Sequence, residues 1–185
     1  MFRITEIREK HLWIAVSVVY LTILSTLFIG QPLAEELRDQ NVQAVIFLLG
    51  LILVAVAVIL HGLVRRPGTV EYAVLIGIVS VYVMFFFRLG APERTHLIEY
   101  SVLALLLHKA FGKRYSSEKG PWKSSFLAWA WGISLGALDE GIQLFLPNRV
   151  FDPEDIAFNS IAVTMAITAS VALFLLRNFL KKKGG

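Results

Sequence analysis

A first group of polar side chains lies at the start of an apolar segment, with a spacing that suits acid–base chemistry. His96, Glu99 and Tyr100 follow one another at three and four residues, so a helix would present all three on one face. A histidine oriented by a carboxylate can exchange protons near neutral pH. We therefore predict catalytic roles for His96 and Glu99, with Tyr100 contributing to ligand binding.

A second polar group lies near the end of another apolar segment. Asp139 and Glu140 precede Gln143 by four and three residues, which again corresponds to one helical face. Charged side chains at membrane depth are costly and persist mainly where they face a bundle interior or a water-filled cavity. We predict that Asp139 and Glu140 serve as general acid or base, although they could instead form a structural pair neutralised by Arg88 or Arg149.

A third group leads into the last apolar segment. Asp152, Asp155 and Asn159 are spaced by three and four residues, and Pro153 suits the first position of a helix. Arg149 precedes them and could bind an anionic head group, since a guanidinium binds phosphate through two hydrogen bonds. Arg149 and the acids could equally order the start of the helix. The predicted ligand-binding residues are Tyr100, Gln143, Arg149, Asp152, Asp155 and Asn159.

A metal site is a weaker interpretation of the same residues. The nitrogen and oxygen ligands of His96, Glu99, Asp139 and Glu140 suit several divalent ions. Only one histidine of the four in the chain belongs to these groups, and the chain has no cysteine. We therefore assign no metal ligands, and the sequence indicates no particular cofactor.

Composition places these groups in a membrane protein. The chain of 185 residues is 56% hydrophobic and 17% charged, with a mean hydropathy of +0.66, whereas soluble domains carry about 25% charged residues. The net charge of +4 is better interpreted as a topology signal than as a nucleic-acid surface. We expect membrane lipid as a partner and no nucleic acid.

Six apolar segments approach the roughly 20 residues that a transmembrane helix needs. They lie near 12–29, 42–64, 72–87, 95–111, 124–146 and 156–176. No linker, tandem repeat or low-complexity tract separates them. We predict one membrane domain over residues 1–185, folded as an all-α bundle of six transmembrane helices.

Basic residues divide unequally between the two sides of this bundle. Of the 18 Lys and Arg residues, all fall on one side except Arg38, Arg88, Arg94 and Arg149. Basic loops remain in the cytoplasm, so both termini are predicted to be cytoplasmic. The three polar groups then face outward from a cytoplasmic (inner) membrane. The first apolar segment exceeds the usual signal-peptide core of about 7–15 residues, which favours an uncleaved anchor.

The order and spacing of the polar groups resemble the VanZ-like membrane protein family. The resemblance covers about half of the chain and lies in His96-x-x-Glu99-Tyr100 and in the run from Asp139 to Asn159. That family is named for a protein linked to reduced susceptibility to the glycopeptide teicoplanin. The resemblance implies a VanZ-like core at about 72–177, preceded by two helices, and a connection with the cell envelope.

Two classes of function follow from the residues. In one, the protein binds or transports an envelope component without catalysis, and its carboxylates form a lipid-binding pocket or a proton relay. In the other, an enzyme acts on a lipid-linked envelope precursor, with acid–base chemistry at His96 and Glu140. The sequence favours the first and leaves the second open, together with a proton-coupled transporter.

Overall fold

The described part of the chain is helical throughout. The computed structural model describes residues 8–36, 68–89, 91–115, 121–147 and 149–183. In chain order, the helices in these ranges are α1 (Glu9–Glu36), α2 (Thr69–Arg88), α3 (Ala91–Arg114), α4 (Trp122–Gln143) and α5 (Pro153–Lys183). The predicted all-α class is confirmed for these residues, while the predicted span at 42–64 lies outside them.

Three of these helices are long and apolar enough to cross a membrane. They are Glu9–Phe28 within α1, the whole of α2, and α5. Helices α3 and α4 do not reach that apolarity, because charged, amide and small residues interrupt their apolar runs. The six spans predicted from sequence are therefore not reproduced. Three such helices are compatible with a membrane location, and many large apolar side chains face outward from the bundle.

One predicted boundary is wrong by about one turn. The predicted span 124–146 continues past Gln143, where α4 ends. The chain turns at that point, since the amide of Phe145 donates to the carbonyl of Ile142 and the amide of Leu146 to that of Gln143. Pro147 disfavours helical backbone in the residue before it, which explains the early end.

Ion pairs show which helix ends lie together. Arg114 at the end of α3 lies 3.7 Å from Glu9 at the start of α1. Arg177 near the end of α5 donates through Nε to Glu71 of α2 at 2.6 Å. We call this the basic end of the bundle. The start of α3, the end of α4 and the start of α5 lie at the opposite end, which we call the site end.

Helix α3 lies at the centre of the described bundle and packs against α1, α4 and α5. Its buried apolar residues recur at intervals of three and four, which places them on a single broad face. They include Leu97, Tyr100, Leu103, Leu107 and Phe111. This packing explains why α3 carries less apolar surface toward the outside than α1 or α2.

Glycines bring α4 against α5. A Cβ atom added at Gly132 would lie 2.9 Å from Cγ1 of Val163, and one added at Gly136 would lie 2.9 Å from Cβ of Asn159. Ala162 and Ala166 of α5 are also buried in the core. Small residues spaced by four are typical of close helix packing in membranes. The close approach sets the position of the polar residues one turn farther along α4.

Side chains also fix the starts of α3 and α5. Arg94 donates through Nε to the carbonyls of Phe86 and Leu89, both at 2.9 Å, and so satisfies the end of α2 next to the start of α3. At α5, Oδ1 of Asp152 accepts a 2.8 Å hydrogen bond from the amide of Glu154. This is an N-terminal cap. Both contacts determine where the site residues of these helices begin.

Candidate functional site

Three helix ends bring seven predicted site residues to the site end of the bundle. We call them the polar cluster: His96 and Tyr100 of α3, Asp139, Glu140 and Gln143 of α4, and Asp155 and Asn159 of α5. Tyr100, Asp139, Glu140, Gln143 and Asn159 are buried, with 6% exposure or less. Three of the seven are acids, so the cluster is predominantly acidic.

Tyr100 and Asp139 connect α3 to α4. The Tyr100 hydroxyl donates to Oδ2 of Asp139 at 3.0 Å, and neither residue is more than 1% exposed. Gly136 makes room for this contact, because a Cβ atom there would lie 3.2 Å from Cε1 of Tyr100. The hydrogen bond holds one carboxylate oxygen of Asp139 and leaves the other available.

Glu140 is fully buried at the junction of α4 and α5. Its Oε1 accepts a 2.6 Å hydrogen bond from Nε2 of Gln143. Its Oε2 accepts a longer hydrogen bond of 3.4 Å from the backbone amide of Asp152. Because both oxygens are held by α4 and the turn before α5, the carboxylate has a defined orientation.

The side chain of His96, on α3, faces α5. Its Nε2 is 3.6 Å from Oδ2 of Asp155, and its ring stacks on Tyr100 with centroids 6.3 Å apart. The sequence analysis expected Glu99 to orient this imidazole. The carboxylate that faces His96 is instead Asp155, because α5 packs against the face of α3 that carries the ring.

Several buried polar atoms of the cluster have no hydrogen-bond partner among the described residues. They are Nδ1 of His96, Oδ1 of Asp139 and both side-chain atoms of Asn159. Buried polar groups are nearly always hydrogen-bonded, and an exception commonly indicates water, an ion or a ligand. Four such atoms in one cluster indicate a site that binds something polar.

The spacing of the side chains would allow metal coordination. One ligand atom from each of His96, Asp139 and Glu140 can be chosen so that all three lie within 4.8 Å of one another. Sequence analysis assigned no metal ligands because it found only one histidine. The structure adds the proximity of the two carboxylates to that histidine, which spacing along the chain could not provide.

Arg149 forms its hydrogen bonds with backbone carbonyls of α1 rather than with the carboxylates of the polar cluster. It donates through Nη2 to the carbonyl of Thr26 at 2.7 Å and through Nε to the carbonyl of Leu27 at 3.1 Å. These contacts tie the turn before α5 to α1. Because its guanidinium group donates to two backbone carbonyls, the binding of an anion by Arg149 remains a prediction.

Asp152 and Glu99 lie at the edge of the cluster. Asp152 is exposed and caps α5, which is the structural alternative that the sequence left open. Glu99 is half-buried one turn from His96, and within the described ranges it forms no hydrogen bond or ion pair. Asp152 contacts the polar cluster through its backbone amide, which donates to Glu140, and not through its side chain.

Exposed apolar side chains surround the turn between α4 and α5. Phe145 is 86% exposed and Val150 is 85% exposed, and Leu138 and Leu144 also face outward. Isolated exposed apolar residues are ordinary, but a contiguous group can indicate a lipid or binding surface. Here the group lies next to a buried acidic cluster, an arrangement that suits an amphipathic ligand.

Sequence reasoning missed a second buried polar group, at the basic end. His108 is 9% exposed, and its Nδ1 and Nε2 lie 3.0 Å from the hydroxyls of Ser170 and Ser125 respectively. The available signal was a histidine 12 residues after His96 on the same helix. His108 is fully hydrogen-bonded and joins α3 to α4 and α5, as a structural residue would.

Comparisons with family models, with curated proteins and with solved structures find no match for this chain. The resemblance to VanZ-like proteins therefore rests on the motif alone. A function can therefore be proposed only from the geometry of the polar cluster and from that motif.

Proposed function

We propose that this protein is a multi-pass membrane protein that binds the polar head group of a lipid-linked or other cell-envelope component in the polar cluster. The observation that carries the proposal is the convergence of seven polar residues, five of them buried, at one end of the described bundle. Four of the polar atoms there have no hydrogen-bond partner in the described part of the chain. A ligand that supplies those hydrogen bonds would offset the cost of burying them.

The charge distribution supports an extracytoplasmic site. Most of the described basic residues lie at the end of the bundle that contains Arg114 and Arg177, including Lys181, Lys182 and Lys183 in the last turn of α5. Only Arg88, Arg94 and Arg149 of the described lysines and arginines lie at the site end. By the positive-inside rule the basic end lies in the cytoplasm of a cell with an inner membrane. The polar cluster then opens on the outer side, and both termini are cytoplasmic. The VanZ-like motif belongs to the same proposal and agrees with an envelope ligand.

An amphipathic ligand fits the surroundings of the cluster better than a fully soluble one. Phe145 and Val150 expose apolar surface at the turn beside Glu140. A lipid chain could remain against such side chains while its head group enters the polar cluster.

A second candidate is an envelope enzyme that uses acid–base chemistry. One observation favours it: His96 has a carboxylate at Nε2 and a buried, unpartnered Nδ1. This is the arrangement of a general base whose orientation is fixed by an acid. In this version, Glu140 protonates the leaving group while His96 activates a nucleophile.

The proposal can be tested by the lipids that accompany the purified protein. Wild type, Glu140→Gln and Glu154→Gln are extracted from the same bacterial membranes in mild detergent, and native mass spectrometry identifies retained amphiphiles. Glu154 is exposed near the cluster and serves as the matched control. We expect wild type and Glu154→Gln to retain one amphiphile that Glu140→Gln loses. Identical lipid profiles in all three proteins would contradict the proposal.

A further inference from the structure

We infer that His96, Asp139 and Glu140 together bind one divalent metal ion. The inference deepens the proposed function, since the ion would lie in the same cluster and would determine which head groups can bind there. Four features of the described residues support it: the spacing of the ligands, the contacts that hold each ligand, the unpartnered atoms, and two neighbouring buried carboxylates without a lysine or arginine ion pair.

The spacing of the ligand atoms is close to that of a formed site. The three atoms lie within 4.8 Å of one another. Ions of this class bind nitrogen and oxygen at about 2.0–2.2 Å, so two ligands on opposite sides are about 4.4 Å apart at most. Ligands that are not on opposite sides lie closer together, so the three atoms would have to approach one another by up to about 1.5 Å, which side-chain rotation can supply.

Each of the three side chains is held by a partner that metal ligands commonly have. Asp155 faces Nε2 of His96, Tyr100 donates to Oδ2 of Asp139, and Gln143 donates to Oε1 of Glu140. Metal-binding histidines usually donate their second nitrogen to a carboxylate, and metal-binding carboxylates are themselves hydrogen-bonded. The arrangement around His96 leaves Nδ1 as the coordinating atom.

The unpartnered atoms are the ones that an ion would use. Nδ1 of His96 and Oδ1 of Asp139 are buried without a hydrogen-bond partner. A proton on Oδ1 of Asp139 would remain a donor without an acceptor among the described residues. It would also leave Nδ1 of His96 unsatisfied. A metal ion satisfies both atoms at once.

Charge also favours a cation. Asp139 and Glu140 are buried next to each other, and among the described residues neither forms an ion pair with a lysine or an arginine. Arg149 donates to the carbonyls of Thr26 and Leu27 instead. His96 and Arg149 lie close enough to Asp139 to offset part of its charge, but burying two neighbouring carboxylates with only that compensation is still costly. One divalent ion would neutralise two carboxylates.

The donor types narrow the choice of metal. One imidazole and two carboxylates, in a chain without cysteine, suit Mn2+, Fe2+ or Zn2+ and exclude a thiolate site.

A bound ion would also change which head groups the polar cluster can bind. The acidic cluster alone would repel phosphate, whereas a divalent ion can bind a phosphate oxygen directly. We therefore expect the head group to be anionic, with phosphate as its metal-binding group.

The test uses the full-length protein, purified with a tag that contains no histidine and stripped with a chelator. Mn2+ is titrated and followed by electron paramagnetic resonance, and Zn2+ is then added as a competitor. We expect one Mn2+ bound per chain and displaced by Zn2+. His96→Ala, Asp139→Asn and Glu140→Gln should each weaken Mn2+ binding by about 10-fold or more.

Matched controls separate this site from adventitious binding. His11 and Glu154 are exposed, so His11→Gln and Glu154→Gln should bind Mn2+ like wild type. If a ligand variant does not remain monodisperse, Tyr100→Phe keeps the ring and removes only the hydrogen bond to Asp139. It should weaken Mn2+ binding several-fold. Wild-type affinity in Tyr100→Phe and His96→Ala, or no stoichiometric Mn2+ in wild type, would overturn the inference.

The same preparations distinguish this inference from the proposed function. Mn2+ binding without any retained amphiphile would support the metal site and contradict the proposed function. Retention of the amphiphile by chelator-treated wild type that binds no Mn2+ would support the proposed function and overturn the metal site.

Discussion

The hydroxyl of Tyr100 donates a 3.0 Å hydrogen bond to Oδ2 of Asp139, and this contact between two buried residues joins α3 to α4 at the site end. Its position explains why one oxygen of Asp139 is held while the other is left for a ligand. The contact therefore joins two helices and orients a carboxylate of the polar cluster.

Tyr100→Phe should destabilise the protein. The substitution leaves Oδ2 of Asp139 buried without its donor, at a cost of about 1–3 kcal/mol. Thermal unfolding in detergent measures the effect. Tyr115→Phe is the control, since Tyr115 is exposed and its hydroxyl forms no hydrogen bond among the described residues. Equal unfolding temperatures for both variants would show that the Tyr100 contact contributes nothing to stability.

Gly136→Ala should separate α4 from α5. The added methyl group would lie 2.9 Å from Cβ of Asn159, which belongs to the neighbouring helix and cannot rotate away. Overpacking of this kind costs about 1–3 kcal/mol. Gly141→Ala on the same helix meets nothing within 4 Å and should be neutral or slightly stabilising. The two unfolding curves, compared directly, check the close packing of these helices.

His108→Ala should affect stability without affecting the site. The variant removes hydrogen bonds to Ser125 and Ser170 and leaves a cavity among three helices, which should cost about 2–4 kcal/mol. We expect a lower unfolding temperature with unchanged amphiphile retention at permissive temperature. A normal unfolding temperature combined with lost retention would reverse the roles of the two buried histidines on α3.

Impermeant thiol labelling can test the orientation. The chain has no cysteine, so Val150→Cys and Lys123→Cys each introduce a single exposed thiol, at the site end and the basic end respectively. We predict labelling of Val150→Cys in intact cells and of Lys123→Cys only after permeabilisation. The reverse pattern would place the polar cluster in the cytoplasm.

Much of the site could be predicted from sequence because helical spacing is local. His96 and Tyr100, or Asp139 and Gln143, share a face of any helix that contains them, and polar residues in apolar segments tend to face the interior. The meeting of the three helix ends depends on packing. The close contact between Gly136 of α4 and Asn159 of α5 depends on how two helices pack, so it could not be predicted from the spacing of residues along one helix.

The contact partners of two predicted site residues could not be predicted from local spacing. Arg149 was expected to hold an anion, but the carbonyls of Thr26 and Leu27, more than 120 residues away in sequence, accept its hydrogen bonds. Asp155 replaces Glu99 as the partner of His96 for the same reason. Long side chains form their contacts with whichever element packs nearby, so their partners were beyond the reach of local patterns.

The apolarity of a segment predicted some of the helices as membrane spans but not all of them. Helices α1, α2 and α5 have large apolar side chains on the outside of the described bundle and are long and apolar enough to cross a membrane. Helix α3 is central, and both α3 and α4 carry the polar cluster. Their hydropathy is lower because they contact other helices and carry polar site residues. Hydropathy alone therefore does not show that both helices are packed in the bundle.

The central claim is that the polar cluster carries the function of this protein, and Glu140→Gln tests it most directly. The amide keeps the size of the side chain and an oxygen acceptor for Gln143, while it removes the charge. Cells that depend on the protein are compared by teicoplanin susceptibility and envelope integrity, with Glu154→Gln as control and membrane abundance measured in parallel. We predict that Glu140→Gln accumulates normally and loses the phenotype, whereas Glu154→Gln retains it. A full phenotype in Glu140→Gln at wild-type abundance would contradict the claim.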